Sequence, residues 1–340
     1  MKRILSVILV LVLTLTLFAS CNTTNTTDNN GTTTQATTTA QRTKVNIGFL
    51  KGPTGMGAVG LLKNNDDNKT ENQYNATVLG APDAITAKVI KGELDIAAVP
   101  TNLAAVLFNK DDVDVQIAAL NTLGVLYIIE IGDTIKTIND LSGKTIYATG
   151  KGSTPEYALN YILKANGLND VKVEYKSEHA ELATLMNQGE VVIGMLPEPN
   201  VTSVLLNNKN ARIALNLTEE WEKATKKNGI ENSVLSMGCV IVNTEFAKNN
   251  KKAVDTFLAE YKASIDYVNN NVEAAAALCE TYGIIPKAPV AKKAIPNCNI
   301  CYIDGADMKA QIKDYYQVLF DANPKSVGGK LPDDTFYYSK

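Results

Sequence analysis

Short apolar runs alternate with polar, helix-patterned stretches along most of this chain. Residues 45–50, 76–79, 94–99, 115–120 and 125–131 read as strands, as do 144–148, 171–175, 191–196 and 237–242. The central runs are apolar on both faces, which suits a parallel sheet covered by helices. Helical patterning falls between them, at 84–91, 103–108, 156–166, 180–188 and 201–206, and again at 251–269, 272–282 and 308–321. One unit repeats. GELDIAAVPTN, beginning at Gly92, returns about a hundred residues later as GEVVIGMLPEPN, beginning at Gly189. Each copy reads as a helix, a Gly stop, a buried strand and a closing Pro (Pro100 or Pro197). Two copies predict two Rossmann-like α/β lobes with a cleft between them, the default place for a ligand.

Strand ends then become the places to look. In each half, three predicted strands run into loops that open helices: Gly-Pro-Thr-Gly from Gly52 and Gly150–Pro155 after the first strands, Asp83 and Glu178 near the second loops. Asp83 is suited to an N-cap and Pro155 to a first turn. Free N–H groups at such ends favour anions or polar ligand atoms. Thr54 and the Ser153-Thr154 pair each end a first strand, so closure of the lobes is expected to bring them to one ligand from opposite sides.

The N-terminus has a different character. Lys2 and Arg3 precede an apolar run over 4–19 that ends at Ser20-Cys21, the order of a secretory signal. FASC resembles the bacterial lipobox, which predicts cleavage before Cys21 and a lipid on its thiol. Each buried acyl CH₂ contributes about 0.8 kcal/mol to anchoring. Residues 22–43 are almost wholly Thr, Asn, Gln and Gly, too poor in apolar surface to offset their ordering entropy, and read as a tether. The expected layout is signal peptide 1–20, lipidated Cys and tether 21–43, lobe 1 from 44–127 with 237–340, and lobe 2 from 128–236.

Composition narrows the chemistry. The formal charge of −3, about −5 once Lys2 and Arg3 leave with the signal, is interspersed and forms no basic stripe, which argues against nucleic acid. Cys298 and Cys301 have CxxC spacing, but no second pair or neighbouring His supports a metal or redox site, and none is expected. Whether Cys239, Cys279, Cys298 and Cys301 pair as disulfides is left open by spacing. His179 is the single histidine, and there is no Ser/His/Asp constellation or phosphate loop. No catalytic residue, cofactor or enzyme activity is expected.

The lipobox, the tether and the body segments GFLKGPTGMG, GELDIAAVP, LSGKTIYATGKGSTPEY, GMLPEP and MGCVIVNTEF together resemble substrate-binding lipoproteins of ABC transporters. The type II periplasmic-binding-protein fold of nitrate, sulfonate, taurine and thiamine-pyrimidine binders is the nearest group. The resemblance implies two lobes joined by two hinge crossovers, near 123–129 and 236–242. It also implies a monomer that delivers a small molecule to a membrane permease and its ATPase, with the membrane reached through Cys21. Carried onto this chain, the ligand-binding residues are Lys51, Gly52, Thr54, Gly55, Met56, Asp83, Pro100, Thr101 and Asn102 from one lobe. Gly150, Ser153, Thr154, Pro155, Glu178, His179 and Glu198 come from the other. A sensor lipoprotein for a membrane receptor, or an enzyme resembling thiamine-pyrimidine synthases, are the alternatives on the same fold. No Arg lies in these loops, which disfavours a bidentate clamp on a strong anion and favours a neutral or weakly anionic heterocycle.

Overall fold

The computed structural model describes residues 42–339, which form one compact unit. The expected signal peptide, the lipid attachment at Cys21 and nearly all of the tether lie outside the described residues. Arg42, expected in the tether, is instead held to the body: its guanidinium donates to the Asn72 carbonyl, the Thr70 hydroxyl and the Asn68 side chain.

The chain builds its first sheet from β1 (Lys44–Leu50), β2 (Gln73–Leu79), β3 (Ile96–Pro100) and β4 (Val115–Leu123). Between these strands lie α1 (Pro53–Met56), α2 (Val59–Asp66), α3 (Pro82–Ile90) and α4 (Thr101–Phe108). It then crosses over through Gly124-Val125 into a second sheet. That sheet comprises β5 (Leu126–Ile131), β6 (Thr145–Ala148), β7 (Lys172–Tyr175), β8 (Ile193–Pro197) and β9 (Ala211–Asn216). Its helices are α5 (Thr154–Ala165), α6 (His179–Gln188), α7 (Asn200–Asn207) and α8 (Leu217–Lys227). The return brings β10 (Ser236–Asn243), α9 (Thr244–Asn249), α10 (Lys251–Asn270), α11 (Val272–Thr281), α12 (Ala288–Ala294), β11 (Ile300–Asp304) and α13 (Gly305–Ala322).

The strand orders are β2-β1-β3-β10-β4-β11 and β7-β6-β8-β5-β9. In each sheet the first three strands of the lobe are parallel, and one antiparallel crossover strand lies beside the third. The repeated motif is the third strand. Its Pro pairs with the start of the crossover strand in both lobes, Pro100 opposite Gly238 and Pro197 opposite Leu126. The Gly that opens each copy stops a helix in the left-handed region, at φ +68° for Gly92 and +78° for Gly189. Both stops close with the same bond, Glu93 N–H to Lys88 O and Glu190 N–H to Leu185 O. This is the six-to-one bond of a Schellman cap, for which Gly is favoured because it has no Cβ.

The two-lobed α/β architecture stands as expected, with several local corrections. The polar stretch 64–75 is partly regular: α2 runs to Asp66 and β2 begins at Gln73. Asp83 does not cap α3; the N-cap is Ala81, and Asp83 lies in the first turn. Leu126 and Tyr127, expected in lobe 1, already pair in the second sheet. Four elements are additional to the sequence reading: β9, α9, β11 and α12. The largest apolar cluster passes from one lobe to the other, joining Leu120 and Tyr315 to Leu126, Ile146 and Trp221. Among the described residues, no helix is long and apolar enough to cross a membrane.

Candidate functional site

The strand ends of the two sheets meet around a cavity of about 240 Å³. Lobe 1 contributes Lys51, Gly52, Pro53 and Thr54 from the turn between β1 and α1, and Thr122 from the end of β4. Lobe 2 contributes His179, the first residue of α6, and the run Pro197, Glu198, Pro199 and Asn200 between β8 and α7. Val125 and Met237, one from each crossover, complete the wall. Larger hollows near 460–500 Å³ are lined by other residues, among them Glu222 and Gln311, Lys251 and Glu260, and Asp304 and Tyr337.

On the lobe 1 side, β1 is continued by Lys51, whose N–H donates to Leu79 O (2.9 Å). Gly52 follows at φ +94°, and its carbonyl accepts from both Gly55 and Met56 N–H. A Cβ on Gly55 would stand 2.2 Å from Leu50 O, so the turn folds onto its own strand only with Gly there. Gly55 and Met56 are buried behind the wall. Beneath the turn, Asn121 donates to Thr54 O (3.4 Å) and to Tyr261 Oη (3.0 Å), and the Thr122 hydroxyl donates to Asn121 Oδ1 (3.1 Å).

On the lobe 2 side, the Glu198 carboxylate is 2% exposed. It accepts from the Thr202 N–H and hydroxyl (3.0 Å each) and from Asn297 Nδ2 at 3.4 Å. Burial pushes its pKa above the ordinary glutamate range, and those three hydrogen bonds oppose the shift. His179 Nδ1 shares a 2.7 Å hydrogen bond with the buried Thr149 hydroxyl. The residue keeps some exposure, yet partial withdrawal from water lowers its pKa from 6.5, against an opposing pull from Glu178. At neutral pH the ring is therefore uncharged.

The remaining expected residues fall elsewhere. Thr154 is buried and hydrogen-bonds Tyr315 Oη (3.0 Å), so it braces α5 against α13 rather than facing Thr54 across the cavity. Ser153 Oγ donates to Gly150 O (2.6 Å) within its own loop, and Pro155 is buried. Thr101 is buried against Ser236 Oγ (2.8 Å), Pro100 ends β3, and Asn102 donates to Ser326 O (3.3 Å). Asp83 and Glu178 are exposed and stand outside the wall. Some of the expected free N–H groups are spent. Pro53 has none, the Glu156 and Tyr157 amides return to Ser153 O, Gly152 N–H donates to Glu156, and Thr202 N–H donates to Glu198. Sequence reading missed Thr122, Asn200 and the wall roles of Val125 and Met237. The polar Asn121-Thr122 pair closing an otherwise apolar run was the available signal.

Hydrogen bonds also join the lobes. Tyr127 Oη donates to Asn297 O (2.8 Å), and Asn323 Nδ2 donates to Tyr157 Oη (2.9 Å). Arg42 and Arg212 are engaged elsewhere, the latter with Glu130 at the far end of β5. Cys239, Cys279, Cys298 and Cys301 are free thiols, and burial pushes Cys279 and Cys301 up to about 12. No metal-binding group of His, Cys, Asp or Glu occurs among the described residues.

Residues 115–275 match a family model described as NMT1/THI5 like. No curated protein matches the chain. Among solved structures, an ABC transporter protein from Parabacteroides distasonis is 25% identical, with a TM-score of 0.72 over 88% of this chain and 99% of that one. The periplasmic aliphatic sulphonate binding protein of Escherichia coli is 18% identical, with a TM-score of 0.67 over 88% and 93%. The periplasmic nitrate-binding protein of Synechocystis is 11% identical, with a TM-score of 0.53 over 79% and 75%. The fold expected from the sequence motifs is therefore shared with these solved structures.

Proposed function

We propose that this chain is an extracytoplasmic solute-binding lipoprotein that captures a small molecule between its lobes and hands it to an ABC importer. The observation that carries this reading is the cavity itself, walled by both sets of strand ends and by both crossovers. A ligand in it touches every part that must move when the lobes open, so it can favour the closed state through differential affinity. Its partners are a permease and an ATPase, and lipid on Cys21 keeps it at the membrane. Binding occurs without turnover: His179 stands alone, and one ring nitrogen is already held by Thr149.

The cavity's chemistry narrows the ligand class. Its charged and titratable wall residues are Lys51, His179 and Glu198, and neither described Arg reaches it. Pro53, Pro197 and Pro199 supply carbonyls without N–H donors. A sulfonate or nitrate is poorly served by such a wall. A small neutral heterocycle bearing hydroxyl or amino groups fits it better, and a cavity volume below the usual range for ligand pockets admits only a small molecule.

Mass spectrometry of the mature chain extracted from membranes tests both halves of the proposal. Under denaturing conditions Cys21 should carry a diacylglyceryl group at the new N-terminus. Under native conditions the chain should retain a small uncharged molecule or take up an added hydroxymethyl-aminopyrimidine unchanged. An unacylated mature chain removes the lipoprotein reading, and conversion of the added pyrimidine removes the non-enzymatic one.

A further inference from the structure

We propose that Gly238 is a positioning residue: it pins the Thr54 side chain so that the hydroxyl faces the bound molecule. The identity of the occupant rests on the solute-binding reading, whereas the pinning rests on geometry alone. Gly238 is buried in β10, paired with Thr122 of β4, and the register of the two strands shifts on both sides of it. A Cβ at this position would stand 2.4 Å from Thr54 Cγ2 and 2.5 Å from Asn121 Oδ1. Side chains do not approach so closely, so the Thr54 methyl occupies space that any residue other than Gly would fill. With the methyl committed to β10, the tetrahedral Cβ sends the hydroxyl in another direction. Thr54 lines the cavity, and its hydroxyl takes no hydrogen-bond partner from the described residues. Asn121 fixes the main chain of the same residue through the bond to Thr54 O. Methyl and carbonyl are thus both held, and the hydroxyl is the one side-chain polar group of Thr54 left for a ligand.

The test uses the full chain in mild detergent, with threonine methyl groups isotopically labelled. Without ligand, three-bond couplings should report one Thr54 rotamer in the wild type and a different or averaged one in Gly238→Ala; an unchanged rotamer overturns the proposal. Calorimetry with a hydroxymethyl-aminopyrimidine then reads the consequence. Loss of one neutral hydrogen bond should weaken binding by about 2- to 13-fold in Gly238→Ala and in Thr54→Val. Combining the two should bring no further loss, because Gly238 acts through the hydroxyl that Val lacks. A merely structural role would weaken binding again by the same factor in the Thr54→Val background. If Gly238→Ala fails to fold, Thr54→Ser decides: it keeps the hydroxyl but not the pinned methyl, so weakened binding supports the pinning and wild-type affinity overturns it. A wild type that binds no pyrimidine counts against the ligand class proposed above alone, since the rotamer measurement still decides the role of Gly238.

Discussion

His179 is the only histidine in the chain, so its ring titrates without overlap from any other. Withdrawal of water by the cavity walls favours the neutral form, and NMR of the imidazole protons should give a midpoint below 6.5. The sign follows from linkage. A depressed folded-state pKa means that this group's contribution to stability is complete above 6.5 and declines as pH falls below it. A midpoint above 6.5 would mean that a carboxylate, not the cavity wall, governs the ring. Glu198 moves the opposite way, towards its own neutral form. Both shifts disfavour charge on these two side chains. At this scale the sequence was legible where Gly and Pro interrupt strands: Lys51, Gly52, Thr54, His179 and Glu198 do meet at the cavity. Thr154 and Asn102 were not legible, because the partners that occupy them, Tyr315 and Ser326, lie more than 150 residues away in sequence.

Among the elements, α8 shows how one helix ties the lobes together. Its Trp221 is fully buried, with the Tyr161 ring centroid 5.0 Å away on α5 and that of Tyr315 6.2 Å away on α13. Truncating so large a buried ring leaves a cavity that the surrounding helices fill only in part. Trp221→Ala should therefore cost about 3–5 kcal/mol, read from the midpoint of urea unfolding. A loss below 1 kcal/mol would show that α8 is dispensable to the joint core. The elements the sequence reading passed over are edge strands or short helices, α9 with six residues among them. β9 and β11 are edge strands with mostly half-buried residues, so neither carries the continuous apolar run that marks the central strands. α12 is a short helix whose sequence, APVAKKA, gives little room for a 3.6-residue repeat to declare itself.

For the whole molecule, the repeat at Gly92 and Gly189 was enough to foresee two lobes, because a buried parallel strand demands helices on both faces and therefore a lobe around each copy. What the repeat could not convey is how far the lobes share a core. The apolar cluster running from Leu120 through Trp221 to Tyr315 belongs to both. The described unit should accordingly melt as one: calorimetry of the ligand-free protein should show a single transition with equal calorimetric and van't Hoff enthalpies. Two separated transitions would mean that the lobes are thermodynamically independent. The sheet orders also impose a timetable on synthesis. In the second sheet every strand lies between Leu126 and Asn216, so that half has its full set once the chain has grown that far. The first sheet does not. β10 lies between β3 and β4, and those two strands have no direct partnership with each other. The half of the molecule that is made first must therefore wait, its centre open, until residue Asn243 has emerged. The younger half can finish before the older one closes, and during that interval the exposed flanks of β3 and β4 are the surface a chaperone would have to guard.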